Sequence, residues 1–249
     1  MKPLFFVFFA LISAAVSTQL QANTVVEVSP NAELNQQYSQ PVRWQQVLAA
    51  LHEAGVDPRW SVLTSQAKDE LAELTTLHRQ VTDQLERLGQ YWARKGNHGG
   101  LRSTYELLAQ LRALPLAAYQ PVSMDYDLVR LQPTHNPLLD GEYRLALRGR
   151  PDIVWAQGLV RLPGKRPFVG GAFAYDYGKR LSTLPEADSD NIWVIQPDGV
   201  IVSSGVDPFA PEFVGVAPGA TLYVGFKHLP AGFDELNQQI MTLFANKKP

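Results

Sequence analysis

The spacing of apolar residues changes several times along this chain, and each change predicts an element. Thr24 to Val28 carries valines at 25, 26 and 28 and reads as a short strand. Pro30-Asn31 is a turn, and Glu33 to Ser39 supplies a hairpin partner. After Pro41, Trp44, Val47, Leu48 and Leu51 recur at helical spacing until Gly55 stops them. Thr64 or Ser65 is placed to cap a helix, whose period runs through Leu71, Leu74, Val81, Leu85, Leu88 and Trp92. The cluster from Lys95 to Gly100 breaks it, and Leu101, Tyr105, Leu108 and Leu111 resume the period until Pro115. Residues 64–114 therefore predict an αα-hairpin with apolar seams packed on each other or turned to a partner. Val122 to Leu131 partly alternates and predicts a strand, and Asp140-Gly141 introduces another over Glu142 to Leu147.

The second half repeats this grammar on a smaller scale. Asp152 to Leu159 and Pro167 to Val169 read as strands around the Pro163-Gly164 turn, followed by a helix over Ala172 to Leu181. Ile192 to Ile195 and Val200 to Val202 flank Gln196-Pro197-Asp198-Gly199, a strong hairpin signal, and Thr221 to Phe226 is a dense closing strand. Hairpin, helix, hairpin, closing strand is the order of a β-grasp unit, a mixed sheet clasping one helix. Phe233, Leu236, Ile240, Leu243 and Phe244 then share one face of a terminal amphipathic helix, and Lys247-Lys248 suit its negative end. That face either docks on its own domain or meets a partner or membrane surface.

The remaining apolar run has no helical or strand period. Lys2 precedes an almost purely apolar stretch from Leu4 to Val16, then small and polar residues to Ala22. It is too short for the about 20 residues of a membrane span and has the order of a cleavable signal peptide, cut after Ser17 or Ala22. The expected organisation is a signal peptide over 1–22, a first domain over 23–150 holding the helical hairpin, a second over 151–228, and the helix within 229–249. No other long apolar run follows, so the mature chain is expected to have no transmembrane span. The 249 residues include no cysteine, which removes disulfides, thiolate metal sites and a lipid-anchored N-terminus. A formal net charge of −2 gives no electrostatic footprint for nucleic acid.

Signatures of catalysis are sparse. His52-Glu53 lacks a histidine at Val56, and the five histidines have no ligand spacing, so neither a metal nor a cofactor is expected. Asp125 and Asp127 flank Tyr126, and on a strand both carboxylates share one side at about 7 Å. That suits the roughly 5–9 Å separation of a glycosidase pair, so an exported carbohydrate-active enzyme is the alternative reading. Aromatic clusters at Tyr91-Trp92 and Phe173-Tyr175-Tyr177, with Trp155 and Trp193 on strands, read chiefly as core. Arg130, between Val129 and Leu131, offers a fork for acidic sugar or phosphate groups.

An ordered succession of segments carries more information than any of these motifs. Leu159 to Gly164, Pro167-Phe168 with Gly170, and Asn191 to Gly199 resemble a soluble-ligand-binding β-grasp repeat, and the succession runs further through Asp125-Tyr126-Asp127-Leu128-Val129-Arg130, Asn136 to Tyr143, Pro218 to Phe226 and Leu236 to Ile240. In chain order they resemble the GfcC-like capsule-biosynthesis family, which is related through β-grasp repeats to outer-membrane polysaccharide-export proteins. The resemblance implies an α+β protein of two β-grasp domains, a helical hairpin inserted in the first, and a C-terminal amphipathic helix. It also implies a periplasmic, non-enzymatic accessory of capsule or exopolysaccharide assembly or export, whose partner is a polysaccharide or the export machinery. Relatives carry Gly-Arg before the proline matching Pro121, where this chain has Ala118-Tyr119. Tyr119, Asp127 and Arg130 are accordingly the candidate ligand contacts, and Phe233, Leu236, Ile240, Leu243 and Phe244 the candidate partner contacts. An adaptor docking through that terminal helix is the second alternative.

Overall fold

The computed structural model describes residues 24–248, apart from 208, 209 and 211, and the expected signal peptide lies outside that range. The chain is α+β, with helices packed around two five-stranded mixed sheets.

The first sheet opens with strand β1 (Thr24–Ser29) and its antiparallel partner β2 (Gln36–Tyr38). A two-residue strand β3 (Val42–Arg43) leads into helix α1 (Trp44–Glu53), whose Trp44, Val47, Leu48 and Leu51 are all fully buried, as their 3–4 spacing requires. Strand β4 (Val62–Ser65) follows, then the two long helices α2 (Lys68–Arg94) and α3 (His98–Arg112). After them come β5 (Ala118–Tyr119), the short helix α4 (Tyr126–Leu131), β6 (Leu138–Leu139) and β7 (Gly141–Ala146). The sheet order is β2-β1-β7-β4-β5, with β7 parallel to β1 in the middle. Val26, Val28 and Leu145 face α1, while Glu27 and Arg144, cross-strand partners on the other face, form an exposed ion pair at 3.0 Å.

The second sheet is built from β8 (Ile153–Gly158), β9 (Gly164–Pro167), then helix α5 (Ala174–Gly178), β10 (Asn191–Ile195), β11 (Ile201–Gly205) and β12 (Thr221–Val224). Its order is β11-β10-β12-β8-β9, again with the last strand parallel to the first. Period-two alternation divides its side chains between two cores. Val154, Ala156, Ile192, Val194, Leu222 and Val224 face α5. Ile195 and Tyr223 join the opposite core with Leu85, Leu88, Leu107 and Leu111 of the helical hairpin and the terminal helix α6 (Leu236–Ala245). Thus the hairpin, which leaves and rejoins the chain within the first sheet, spends its apolar seam on the second. Gly100 permits the close pass of α3 over α2, because a Cβ there would sit 2.9 Å from the Trp92 ring.

Three local expectations are corrected. The segment expected as a strand over Val122 to Leu131 contains α4: Asp125 accepts a hydrogen bond from the Leu128 N–H at 3.0 Å, an N-cap that wins over the weak alternation. Thr64 and Ser65 do not cap α2 directly, since both lie in β4, paired with β7, although Ser65 Oγ accepts the Ala67 N–H. The helix expected over Ala172 to Leu181 is the shorter α5, begun at Phe173 by Asp176, whose carboxylate accepts the Phe173 N–H.

Candidate functional site

A cleft of about 1170 Å³ runs between the two sheets, closed at one side by the end of α6 and the residues after it. Three segments build it. The loop before β4 supplies Arg59, Trp60 and Ser61; Tyr119 of β5 and the stretch from Pro121 to Asp125 supply a second side; and the 196–200 turn of the second sheet forms the facing wall. Trp155 of β8 and the tail residues Lys247 and Lys248 complete it.

The tail is held as an extra strand-like segment. Lys247 bridges antiparallel to Leu116, Ala117 N–H donates to the Asn246 carbonyl at 2.9 Å, and Lys248 N–H donates to the Pro115 carbonyl at 2.7 Å. This fixes the Lys247 ammonium 3.0 Å from the centroid of the Trp155 ring, with Lys165 at 5.5 Å from the same centroid. Arg150, between β7 and β8, lies 5.8 Å from the Trp60 centroid and 5.6 Å from that of Phe168. The aromatic faces therefore position cations. Among the described residues Arg148, Lys247 and Lys248 have no acidic partner within ion-pair distance. The acids of the cleft are occupied elsewhere: Asp125 caps α4, and Asp198 accepts the Val200 N–H at 3.0 Å. Ser61 lines the same wall with a buried hydroxyl that has no hydrogen-bond partner, a polar group the bare fold leaves unsatisfied.

Burial first, then the charges of Lys165 and Arg148, push the Lys247 ammonium down to about 8 from 10.5. The folded chain holds this proton less tightly than the unfolded chain. Lys247 therefore makes stability rise as pH climbs from about 8 towards 10.5. Melting curves across that window are expected to show a steeper rise for the parent protein than for Lys247→Gln; superimposable profiles would contradict the buried, cation-crowded setting.

Of the sequence-predicted ligand contacts, Tyr119 alone lies in the cleft, and of the predicted partner contacts Phe244 also reaches its lining. The Tyr119 hydroxyl donates to the Pro197 carbonyl at 2.6 Å, tying β5 to the turn of the second sheet, and burial with the nearby Asp198 charge pushes the phenol up to about 12. Asp127 and Arg130 lie on the outer side of α4 and pair with each other at 3.2 Å, outside the cleft lining. The proposed carboxylate pair thus loses its premise: Asp125 and Asp127 are not alternate positions of a strand, and each is engaged, by a backbone N–H and by Arg130 respectively. Leu236, Ile240, Leu243 and Phe244 are buried in the core against the hairpin and the second sheet, and Phe233 packs at its margin. The terminal helix docks on its own chain, and its apolar face is not presented to a partner. Trp60, Arg148, Trp155 and Lys247 were not selected from sequence as a group. The alternation of β8 did place Trp155 on the face opposite Val154 and Ala156.

The model of the capsule biosynthesis GfcC N-terminal region matches residues 13–150, and that of the GfcC C-terminal region matches residues 162–249. A relative in Escherichia coli K12, the uncharacterized protein YjbG, is 32% identical over 148 residues. That alignment takes in 57% of this chain and spans 59% of the relative's length. No helix among the described residues is long and apolar enough to cross a membrane. With both family models matched in chain order, and the N-terminal one alone covering more than half of the residues, the protein belongs to the GfcC family of capsule-biosynthesis proteins.

Proposed function

We propose that this protein is an exported, periplasmic accessory of capsule or exopolysaccharide assembly, and that it acts by holding the polysaccharide in the cleft between its two sheets. On this reading the sheets are two β-grasp domains meeting near Arg150, the hairpin is an insert of the first, and residues 1–22 are removed on export. The sheet orders support the β-grasp assignment, because each places the last strand parallel to the first with hairpin partners outside.

The cleft carries the functional reading. It is large enough for several sugar units, and its lining includes the unpartnered Ser61 hydroxyl and the cations Arg148, Lys247 and Lys248. Among the described residues its acidic side chains, Asp125 and Asp198, serve as a helix cap and a turn ligand, which favours binding over hydrolysis. Binding without cleavage is the chemistry this supports. Equilibrium titration of the mature protein with the polysaccharide of its host bacterium is expected to give saturable binding, and gel filtration afterwards an unchanged polymer length. Absence of binding would overturn the reading, and shortening of the polymer would replace it with a hydrolytic one.

A further inference from the structure

We propose that the polysaccharide held in this cleft is anionic, and that Arg148, Lys247 and Lys248 receive its negative groups. This rests on the reading that the cleft is a polysaccharide site and adds the chemical class of the occupant.

Most cations on a protein surface are either solvated at random or matched by a carboxylate. Among the described residues seven ion pairs are formed, including Arg59 with Asp57 at the rim of this same cleft. Arg148, Lys247 and Lys248 are among the cations without one, and all three line the cleft. Lys247 is also held in place: the tail hydrogen bonds fix its backbone and the Trp155 ring fixes its ammonium. A cation immobilised and partly desolvated before binding loses little further entropy when an anion arrives, and its field is less screened than that of a mobile lysine. Lys165, over the same Trp155 ring, adds to the positive potential without lining the cleft. Burial first, and then the charges of Lys165 and Arg148, disfavour the bare ammonium of Lys247, and an anion placed beside it offsets both. By contrast, the smaller hollow of about 390 Å³ that shares Tyr119 is lined by Glu70 and Glu73 and repels such a ligand. A neutral glycan would accept hydrogen bonds from the three cations but would not neutralise their charge.

The test uses the full mature chain with two probes of matched length, an oligogalacturonate and a neutral dextran oligosaccharide, alongside the host polysaccharide. The oligogalacturonate is expected to bind at least tenfold more tightly than the dextran. With three cations engaged, its affinity should fall about tenfold as salt rises from about 50 to 200 mM. The triple variant Arg148→Gln, Lys247→Gln, Lys248→Gln should lose that preference. Arg148→Gln alone, at an exposed position where folding is not in question, should weaken oligogalacturonate binding about threefold. Equal, salt-insensitive binding of both probes overturns the charge proposal and leaves the cleft reading standing. Should only the host polymer bind, weakening with salt supports the proposal and salt-independent binding overturns it. If neither the probes nor the host polysaccharide bind, the cleft reading itself fails.

Discussion

Gly158→Ala is expected to lower stability by about 4 kcal/mol or more, enough to leave much of the protein unfolded at physiological temperature. Gly158 ends β8 with φ of +89°, a backbone region that a side chain resists. A Cβ there would stand 2.2 Å from the Val224 carbonyl oxygen and 2.8 Å from the Tyr223 ring, both in the parallel neighbour β12. Neither can move cheaply, since Tyr223 is fully buried among the hairpin and α6 side chains. Gln110 of α3 clamps the same residue, accepting its N–H at 3.0 Å and donating to its carbonyl at 2.8 Å, so a backbone shift also loosens the hairpin. Gly164→Ala is the control. Its φ of +127° is equally unfavourable, but nothing lies within 4 Å of the added carbon, and a loss of about 1–2 kcal/mol is expected. Denaturant melts of the two variants should differ accordingly; similar losses would show that conformation, and not the close approach, decides.

Phe244→Ala is expected to cost about 3–5 kcal/mol and to lower the melting temperature by about 10 °C or more. Phe244 is 3% exposed and lies 5.7 Å, centroid to centroid, from Tyr223. It joins α6 to the second sheet in a core that also contains the helical hairpin, so its loss leaves a cavity where three elements meet. For the same reason a chain ending at residue 232 should fail to give soluble folded protein, because it would expose the buried faces of α2, α3 and β12 together. A truncated chain that still melted cooperatively near the parent temperature would contradict the assignment of α6 to the core. It would return the helix to the role of a partner-binding arm.

The sequence was most legible where one period ran long. The 3–4 spacing from Leu71 to Leu111 predicted the two hairpin helices, and strong turn signals such as Pro197-Asp198-Gly199 predicted the second sheet. It was least legible where a single polar side chain decides the local structure. Asp125 between weakly alternating residues is ambiguous until its cap to Leu128 is seen. Very short strands such as β3, β5 and β6 owe their existence to partners far along the chain and carry no period of their own. The cleft was illegible as a unit. Its Trp60, Arg148, Trp155 and Lys247 come from four distant segments, and each has an ordinary local account: a loop, a solvated charge, a strand core and a helix-end cation. Only the topology brings them together.

Hydrogen–deuterium exchange of the mature protein with and without saturating host polysaccharide tests the central claim most directly. Protection gained at residues 59–62, 119–125, 196–200 and 246–248, with none on α4's outer side or the Glu27–Arg144 face of the first sheet, is the predicted pattern. Protection confined to those outer surfaces, with the cleft segments unchanged, would contradict it.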